Sequence, residues 1–261
     1  MVADPAELVA LAERLASAAA VELRSRPTDL HADAKSTPTD AVTVMDRRAE
    51  SVILDGLAAA RPGDRVVAEE SGDNDRAAEV TWYVDPLDGT VNYLYGIPQY
   101  AVSIAAAIED TVTISVVLDV TRNETYAAIR GRGAARDGQI LRATAETDPA
   151  LALIGTGFAY SAATRAAQAT VVAQLLPQVR DIRRLGSCAL DLCAVAAGRL
   201  DAYYEQDMHP WDWAAGMLIA REAGARVDGL AGRRLGEGTM LAANPVLFDR
   251  VHDLLVAAGA T

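Results

Sequence analysis

Hydrophobic and polar positions alternate with two different periods in the first half of this chain. Apolar residues recur every three or four positions over 5–26 and 44–61, which predicts amphipathic helices. Asp4-Pro5 opens the first helix, and Pro62-Gly63 ends the second. Short apolar runs within 65–72 and 80–90 predict buried strands that end in carboxylates. The runs at 101–110, 111–120 and 124–131 predict consecutive strands of a largely antiparallel sheet.

After about residue 145 the pattern changes to alternating strands and helices. Apolar runs predict strands at 151–158, 181–187, 201–205 and 239–244, and helical spacing predicts helices at 163–179, 189–200, 211–224 and from Pro245 onwards. The pattern therefore predicts an α+β arrangement before about residue 145 and an α/β arrangement after it. We therefore predict one domain over 1–261, with an α+β half over 1–145 and an α/β half over 146–261.

Composition and charge limit the possible functions. The chain has 261 residues, of which 51% are hydrophobic, so it has ample material for a core and is not disordered by composition. The formal net charge is −12, and a surface of that sign repels DNA and RNA phosphates. We expect no direct contact with nucleic acid. An acidic protein that binds an anionic substrate needs a local positive charge, for which bound cations are the obvious source.

Neither the N-terminal segment nor the cysteines indicate export or a membrane anchor. Glu7, Glu13 and Arg14 interrupt the first apolar stretch, so it reads as a helix and not as a signal peptide. No continuous apolar run approaches the roughly 18 residues that span a bilayer. Cys188 and Cys193 are five residues apart, which separates them by about 140° on a helix, and we expect two buried free thiols. The pattern predicts a cytoplasmic protein without membrane contact.

The strongest chemical signal is the segment 85–90, D-P-L-D-G-T, at the end of a predicted buried strand. Asp85 and Asp88 are separated by a proline that prevents simple continuation of the strand, and Gly89 allows a tight turn. Two carboxylates and the carbonyl oxygen of Leu87 can then face one cavity, and Mg²⁺ prefers oxygen ligands of this kind. The alternative is a surface turn, but two unpaired acids after an apolar strand would be costly there.

Three weaker signals accompany this segment. Glu69 and Glu70 follow another apolar strand, where only one of them can face the same cavity and a solvated pair is the simpler interpretation. Asp212 and Asp46 each stand near a helix start, so each could be a helix cap as well as a site residue.

Taken together, these segments resemble the inositol monophosphatase family, which is part of a superfamily of lithium-sensitive, Mg²⁺-dependent phosphatases. The motifs D-x-V-T-x-x-D-x-x-x-E, E-E-S, W-x-x-D-P-x-D-G-T-x-N-[FY] and W-D-x-A-A-G-x-x-x-x-x-E-A-G occur in the family's order across nearly the whole chain. The match is closest to bacterial enzymes of the actinobacterial type. The resemblance implies a layered αβαβα sandwich, like that of fructose-1,6-bisphosphatase, and a homodimer.

The resemblance also implies the reaction and its ligand set. A small phosphorylated polyol, most simply myo-inositol monophosphate, is hydrolysed to inositol and phosphate by metal-activated water, with two or three Mg²⁺ per site. Glu69, Asp85 and the carbonyl of Leu87 match the ligands of a first metal. Asp85 bridges to a second metal held by Asp88 and Asp212. Glu69 also helps to hold a weaker third metal through waters.

The remaining family roles concern the nucleophile and the substrate. Asp46 orients Thr90, which with Glu69 belongs to the catalytic set and helps to deprotonate the attacking water. The backbone of Gly89 and Thr90 matches the phosphate-binding amides, and Glu205 matches the glutamate that accepts hydrogen bonds from ring hydroxyls. The other residues that match the substrate pocket are Asp88, Asp212, Gly186, Ser187 and Cys188.

Other assignments stay open at this stage. Fructose-1,6-bisphosphatases, histidinol-phosphatases and nucleoside 3′,5′-bisphosphate phosphatases share the metal motifs, and only Glu205 favours inositol phosphate among them. A role in protein binding, in addition to catalysis, is the alternative of a different class, because some bacterial relatives associate with the transcription machinery. The absence of a G-x-x-x-x-G-K-[ST] motif argues against nucleoside triphosphate hydrolysis.

Overall fold

The computed structural model describes residues 3–37 and 39–261. Its α-helices are α1 (Pro5–Arg24), α2 (Val44–Ala60), α3 (Thr90–Tyr95), α4 (Ala162–Leu175), α5 (Cys188–Ala196), α6 (Pro210–Glu222) and α7 (Pro245–Ala257). Its strands are β1 (Ala32–Ala34), β2 (Ala41–Thr43), β3 (Arg65–Ala68), β4 (Gly72–Asp73), β5 (Val80–Asp88), β6 (Ala101–Ile108), β7 (Thr111–Asp119), β8 (Glu124–Ile129), β9 (Ala134–Arg136), β10 (Gln139–Ile140), β11 (Leu153–Thr156), β12 (Asp181–Arg183), β13 (Ala202–Gln206), β14 (Arg226–Gly229) and β15 (Thr239–Ala243).

Two large sheets carry these elements. The first has eight strands in the order β10-β9-β8-β7-β6-β5-β3-β4, and all neighbours are antiparallel except β3 and β5. The second has five strands in the order β12-β11-β13-β15-β14, parallel on the β12 side and antiparallel on the β14 side. Strands β1 and β2 form a separate hairpin.

Helices separate and cover the two sheets. Helices α1 and α2 pack on one face of the eight-stranded sheet, while α6 packs on its other face and α5 lies beside α6. The α5–α6 pair also contacts the five-stranded sheet, whose outer face is covered by α7 and α4. Continuous apolar clusters fill the spaces between the layers. The predicted layered αβαβα sandwich is therefore confirmed.

The sequence pattern located most of the long elements and missed short ones. The turn between β6 and β7 is formed by Glu109 and Asp110, which both adopt left-handed backbone conformations. The strands β1, β2, β4, β9, β10 and β14 were not predicted, since each has at most four residues and little apolar content. Both cysteines are buried and free, as expected. Among the helices of the described residues, none is long and apolar enough to cross a membrane.

Close packing of α5 against α6 fixes the middle layer. A Cβ atom built at Gly216 would lie 2.7 Å from Leu192 Cβ and 3.2 Å from the Ala189 carbonyl oxygen. Neither atom lies at the end of a flexible side chain, so the helices meet here only because residue 216 has no side chain. The contact matters for function because both helices begin at the cavity described below.

We predict that Gly216→Val lowers the free energy of unfolding by about 1–3 kcal/mol, the usual cost of overpacking a core. Chemical denaturation followed by circular dichroism measures this loss. Gly63→Val is the control, because nothing lies within 4 Å of a Cβ at Gly63. Equal stability of both variants would contradict the proposed close contact between the helices.

Candidate active site

One cavity of about 400 Å³ collects most of the predicted site residues. Its walls come from the loop after β1, the end of β3, the β5–α3 turn, the segment after β11, the start of α5, and the β13–α6 connection. These segments lie far apart in the sequence, yet all of them line this one cavity. The lining includes the following predicted residues: Glu69, Asp85, Leu87, Asp88, Gly89, Thr90, Gly186, Cys188, Glu205 and Asp212.

The end of β5 directs two carboxylates towards this cavity. Asp85 pairs with Ser103 of β6 and Asp88 pairs with Ala101, so β5 contains one extra residue in this interval. Such a bulge bends the strand and re-aims its side chains. The Leu87 amide donates a hydrogen bond to Asp85 Oδ1 at 2.9 Å, which closes the turn locally. Both aspartates are more than nine-tenths buried.

Gly89 makes the sharp turn from β5 into α3 possible. Its φ angle is +98°, and a Cβ would lie 2.9 Å from the Gln99 carbonyl oxygen and 3.3 Å from the Gly186 carbonyl oxygen. Only glycine fits both the backbone conformation and the close approach. The turn places Thr90 at the first position of α3, beside the cavity.

Asp46 both caps its helix and contacts Thr90. Its Oδ2 atom accepts hydrogen bonds from the Thr43 amide at 2.8 Å and from the Thr43 hydroxyl, forming a capping box at the start of α2. Its Oδ1 atom accepts a hydrogen bond from Thr90 Oγ1 at 2.8 Å. Asp46 therefore does cap its helix, and its contact with Thr90 is compatible with the catalytic role, which stays a prediction. Asp46 is fully buried behind Thr90 and does not line the cavity.

Asp212 and Glu205 enter the cavity from the β13–α6 connection. Asp212 is the third residue of α6, where its carboxylate accepts a hydrogen bond from the His209 amide at 2.6 Å. It belongs to the capping box of α6 and is not the N-cap itself. Glu205 lies near the end of β13, and the Tyr203 hydroxyl donates a hydrogen bond to its carboxylate.

The turn at Gly186 forms another wall of the cavity. Asn92 Nδ2 donates hydrogen bonds to the carbonyl oxygens of Leu185 and Gln99, both at 2.8 Å, which ties this turn to α3. Gly186 and Cys188 line the cavity as expected, but Ser187 does not. Ser187 is the N-cap of α5, and its hydroxyl donates to Asp88 Oδ2, so it holds Asp88 in place instead of facing a ligand.

Burial and mutual repulsion make the aspartates of this cluster hard to ionise. Desolvation raises the pKa of Asp88 to about 6. Desolvation, followed by the charges of Glu69 and the other aspartates, raises the pKa of Asp85 and Asp212 well above the usual range. Desolvation also raises the pKa of Glu205 to about 7, although the Tyr203 hydroxyl and Arg184 oppose this shift. Seven carboxylates in all line the cavity against only two permanently cationic side chains, those of Lys35 and Arg184.

This donor set fits a divalent cation. Hard carboxylate oxygens and the Leu87 carbonyl are ligand types that Mg²⁺ accepts, and a cation would relieve the repulsion. Within residues 3–37 and 39–261, no three His, Cys, Asp or Glu side chains converge closely enough to ligate an ion as they stand. Lys35 Nζ lies 2.7 Å from Glu69 Oε1 and also contacts Glu70. Glu69 would therefore have to reorient from Lys35 to reach a metal.

Several lining residues were not identified from the sequence. Arg184 follows β12 and contributes positive charge near Glu205; its signal was the Arg183-Arg184 pair that precedes Leu185-Gly186. Phe158 and Tyr160 come from the loop after β11, and no motif marks them. Lys35, the sole lysine of the chain, lies outside all of the motifs.

Comparisons with known proteins identify relatives over nearly the whole chain. The model of the family described as "Inositol monophosphatase family" matches residues 4–259. The inositol-1-monophosphatase of Mycobacterium leprae is 48% identical over 271 residues, which covers 94% of this chain and 92% of that protein. The solved structure of Mycobacterium tuberculosis SuhB is 44% identical, covers 98% of each chain and has a TM-score of 0.84. The Nus factor SuhB of Escherichia coli strain K12 is 40% identical over 210 residues, 79% of each chain.

We predict that Mg²⁺ raises the melting temperature, because cation binding to the folded carboxylate cluster stabilises it by mass action. At 100 times the dissociation constant the shift should be about 5–10 °C. Differential scanning calorimetry with and without Mg²⁺ measures the shift, with KCl of equal ionic strength as the salt control.

The double variant Asp85→Asn/Asp212→Asn should lose most of this shift and should melt higher than the parent in the absence of Mg²⁺, since two repelling charges are gone. Asp253→Asn is the matched control, because this aspartate is exposed and remote from the cavity. An undiminished Mg²⁺ shift in the double variant would show that the cation binds elsewhere.

Proposed function

The chain belongs to the inositol monophosphatase family and is a metal-dependent hydrolase of phosphate monoesters, and we propose that its preferred substrate is myo-inositol monophosphate, bound in this cavity with Mg²⁺. The observation that carries the proposal is the meeting of two chemistries in one cavity. Buried carboxylates suited to cations line it, and so does Glu205, a hydrogen-bond acceptor for hydroxyl groups.

The cation-binding end comprises Glu69, Asp85, the Leu87 carbonyl, Asp88 and Asp212. Two or three Mg²⁺ ions held there would neutralise charge on the phosphate and make water a stronger acid. The backbone at Gly89 and Thr90 would hold phosphate oxygens. Arg184 also lines the cavity, and its positive charge favours entry of a dianion into a protein with a net charge of −12; Lys35 would do the same once a cation replaced it at Glu69.

Asp46 and Thr90 would orient the attacking water. Asp46 accepts the hydroxyl hydrogen of Thr90, which leaves the Thr90 oxygen lone pairs free to accept a hydrogen bond from water. The Leu87 carbonyl lies 3.0 Å from the same hydroxyl, so it competes for that hydrogen. Because Thr43 holds the other Asp46 oxygen, the carboxylate cannot turn away from Thr90 without losing its cap.

Glu205 distinguishes this proposal from the related bisphosphatases. A carboxylate accepts hydrogen bonds from neighbouring hydroxyls of a polyol, whereas a second phosphate group would be repelled by it. The alternatives weighed from the sequence, fructose 1,6-bisphosphate and nucleoside 3′,5′-bisphosphates, place a second phosphate on the substrate. Histidinol phosphate has a single phosphate, so only a direct comparison of rates separates it.

Three further expectations stay predictions. They are the homodimer, the cytoplasmic location and an additional protein partner. The last gains weight from the relatives that are named Nus factor SuhB, at 40% identity. Whether or not the chain also binds a protein partner, its carboxylate cluster supports hydrolysis as the primary role.

A panel of phosphate esters with Mg²⁺ tests the substrate, and Glu205→Gln tests its recognition. We expect the highest kcat/KM for inositol monophosphate. Glu205→Gln should lower that value by roughly 10–100-fold, since losing a charged hydrogen-bond partner costs about 1.5–3 kcal/mol. Hydrolysis of p-nitrophenyl phosphate, which has no hydroxyls to read, is the internal control. Equal losses on both substrates would mean that Glu205 does not recognise the polyol.

The Asp46–Thr90 pair is tested by Asp46→Asn, Thr90→Ala and the double variant. Each single change should lower kcat by about 10²–10⁴-fold while KM changes little, as expected for assistance to proton transfer. The double variant should be little worse than either single one because the pair acts as a unit. Asp4→Asn alters a helix cap remote from the cavity and serves as the control for loss of capping. A folded Asp46→Asn enzyme with normal kcat would show that Asp46 serves only as a helix cap and has no role in catalysis.

A further inference from the structure

The carboxylate of Glu205 is enclosed by two residues to which neither the family motifs nor the cavity lining assigns a role. Tyr203 and Glu205 are two residues apart on β13, so their side chains lie on the same face of the strand. The Tyr203 hydroxyl donates a hydrogen bond to Glu205 Oε2. Among the described residues, no other side chain or amide donates a hydrogen bond to this carboxylate.

Gly157 also lies against the Glu205 carboxylate. It follows β11, the parallel neighbour of β13, and the three atoms nearest to a Cβ built at Gly157 are the carboxylate carbon and both oxygens of Glu205. The Cβ would overlap all three. The Gly157 backbone is outside the left-handed region, so its conformation does not demand glycine. The space that a side chain would need is taken by the Glu205 carboxylate instead.

We propose that Tyr203 and Gly157 are positioning residues for polyol selectivity: the hydroxyl of Tyr203 fixes the orientation of the Glu205 carboxylate, and the missing side chain at Gly157 leaves room for it. This inference rests on the proposed role of Glu205. A carboxylate at the end of three rotatable bonds recognises two hydroxyls well only when its orientation is fixed in advance. Tyr203 is fully buried and supplies a rigid partner for that purpose.

The two substitutions that remove these contacts should change substrate selectivity without changing the fold. An overlap with the end of a flexible side chain is relieved when that side chain swings aside, so Gly157→Ala should fold normally but displace Glu205. Tyr203→Phe keeps the buried ring and removes only the hydroxyl that holds the carboxylate. Neither change touches the cation-binding end, so hydrolysis of a substrate without hydroxyls should persist.

The neighbouring Tyr204 provides a matched control. It is also buried and lies on the opposite face of β13, and its hydroxyl has no hydrogen-bond partner among the described residues. Tyr204→Phe is therefore the same chemical change, one residue away, without the contact to Glu205. Gly63→Ala is the corresponding control for Gly157→Ala, because nothing lies near a Cβ there.

The test measures kcat/KM for inositol monophosphate and for p-nitrophenyl phosphate, and takes the ratio as selectivity. We expect Tyr203→Phe and Gly157→Ala each to lower this ratio by about tenfold or more, mainly through KM, with melting temperatures close to the parent. The two control variants should keep the parental ratio. In a Glu205→Gln background, both changes should leave the ratio nearly unchanged, because the carboxylate that they position is already gone.

The outcomes separate the two proposals. If Glu205→Gln lowers the ratio but Tyr203→Phe and Gly157→Ala do not, the positioning role is wrong and the recognition role of Glu205 stands. Equal losses on both substrates in these two variants would show a merely structural role and would also overturn the inference. If Glu205→Gln itself leaves the ratio unchanged, recognition by Glu205 is wrong, and the positioning role is wrong with it.

Discussion

Mutual repulsion of buried carboxylates is the constraint on which the rest of this structure depends. Glu69, Asp85, Asp88 and Asp212 surround one cavity, and burial raises the pKa of the three aspartates. Two like charges 4 Å apart in a partly buried site repel by about 4 kcal/mol. A fold that keeps such groups together must fix each of them by contacts of its own, because the groups do not attract one another. A bound cation then converts the same arrangement from a cost into a binding site.

Helix N-termini supply much of that fixation. Asp46 accepts an amide hydrogen bond at the start of α2, Asp212 does so at the start of α6, and Asp88 accepts from the Ala189 amide at 2.8 Å at the start of α5. The free amides at a helix start carry partial positive charge and stabilise a nearby carboxylate. The middle layer therefore has two functions. It separates the sheets, and it directs two helix starts at the cation-binding end of the cavity.

Local pattern predicted the long helices and strands and the carboxylates at the end of β5, whereas the layered architecture and the rest of the proposed ligand set came from the family resemblance. Strand β5 reads as an apolar run that ends in D-P-L-D-G-T, and the long helices show clear apolar spacing. The unpredicted features depend on distant contacts. Strands such as β14 exist because a neighbour pairs with them, and Ser187 turns to Asp88 because α5 begins beside β5. The proximity of Gly157 to Glu205 likewise requires β11 and β13 to be neighbours.

Selectivity must arise from groups other than the cation-binding carboxylates. Cations and backbone amides recognise a phosphate group that every candidate substrate shares, so they cannot distinguish one alcohol from another; specificity is a difference between affinities. Glu205 and Asp212 are only seven positions apart, so a short segment joins the carboxylate proposed to bind the polyol to one proposed to bind the cation. Glu205 lies on a strand inside the five-stranded sheet, and Asp212 lies in the first turn of α6. Because both ends of this short connection lie in regular structure, the distance between the groups that would bind the alcohol and the phosphate stays fixed. A carboxylate that must not move is therefore placed on a strand, with a buried tyrosine on one side and a glycine on the other.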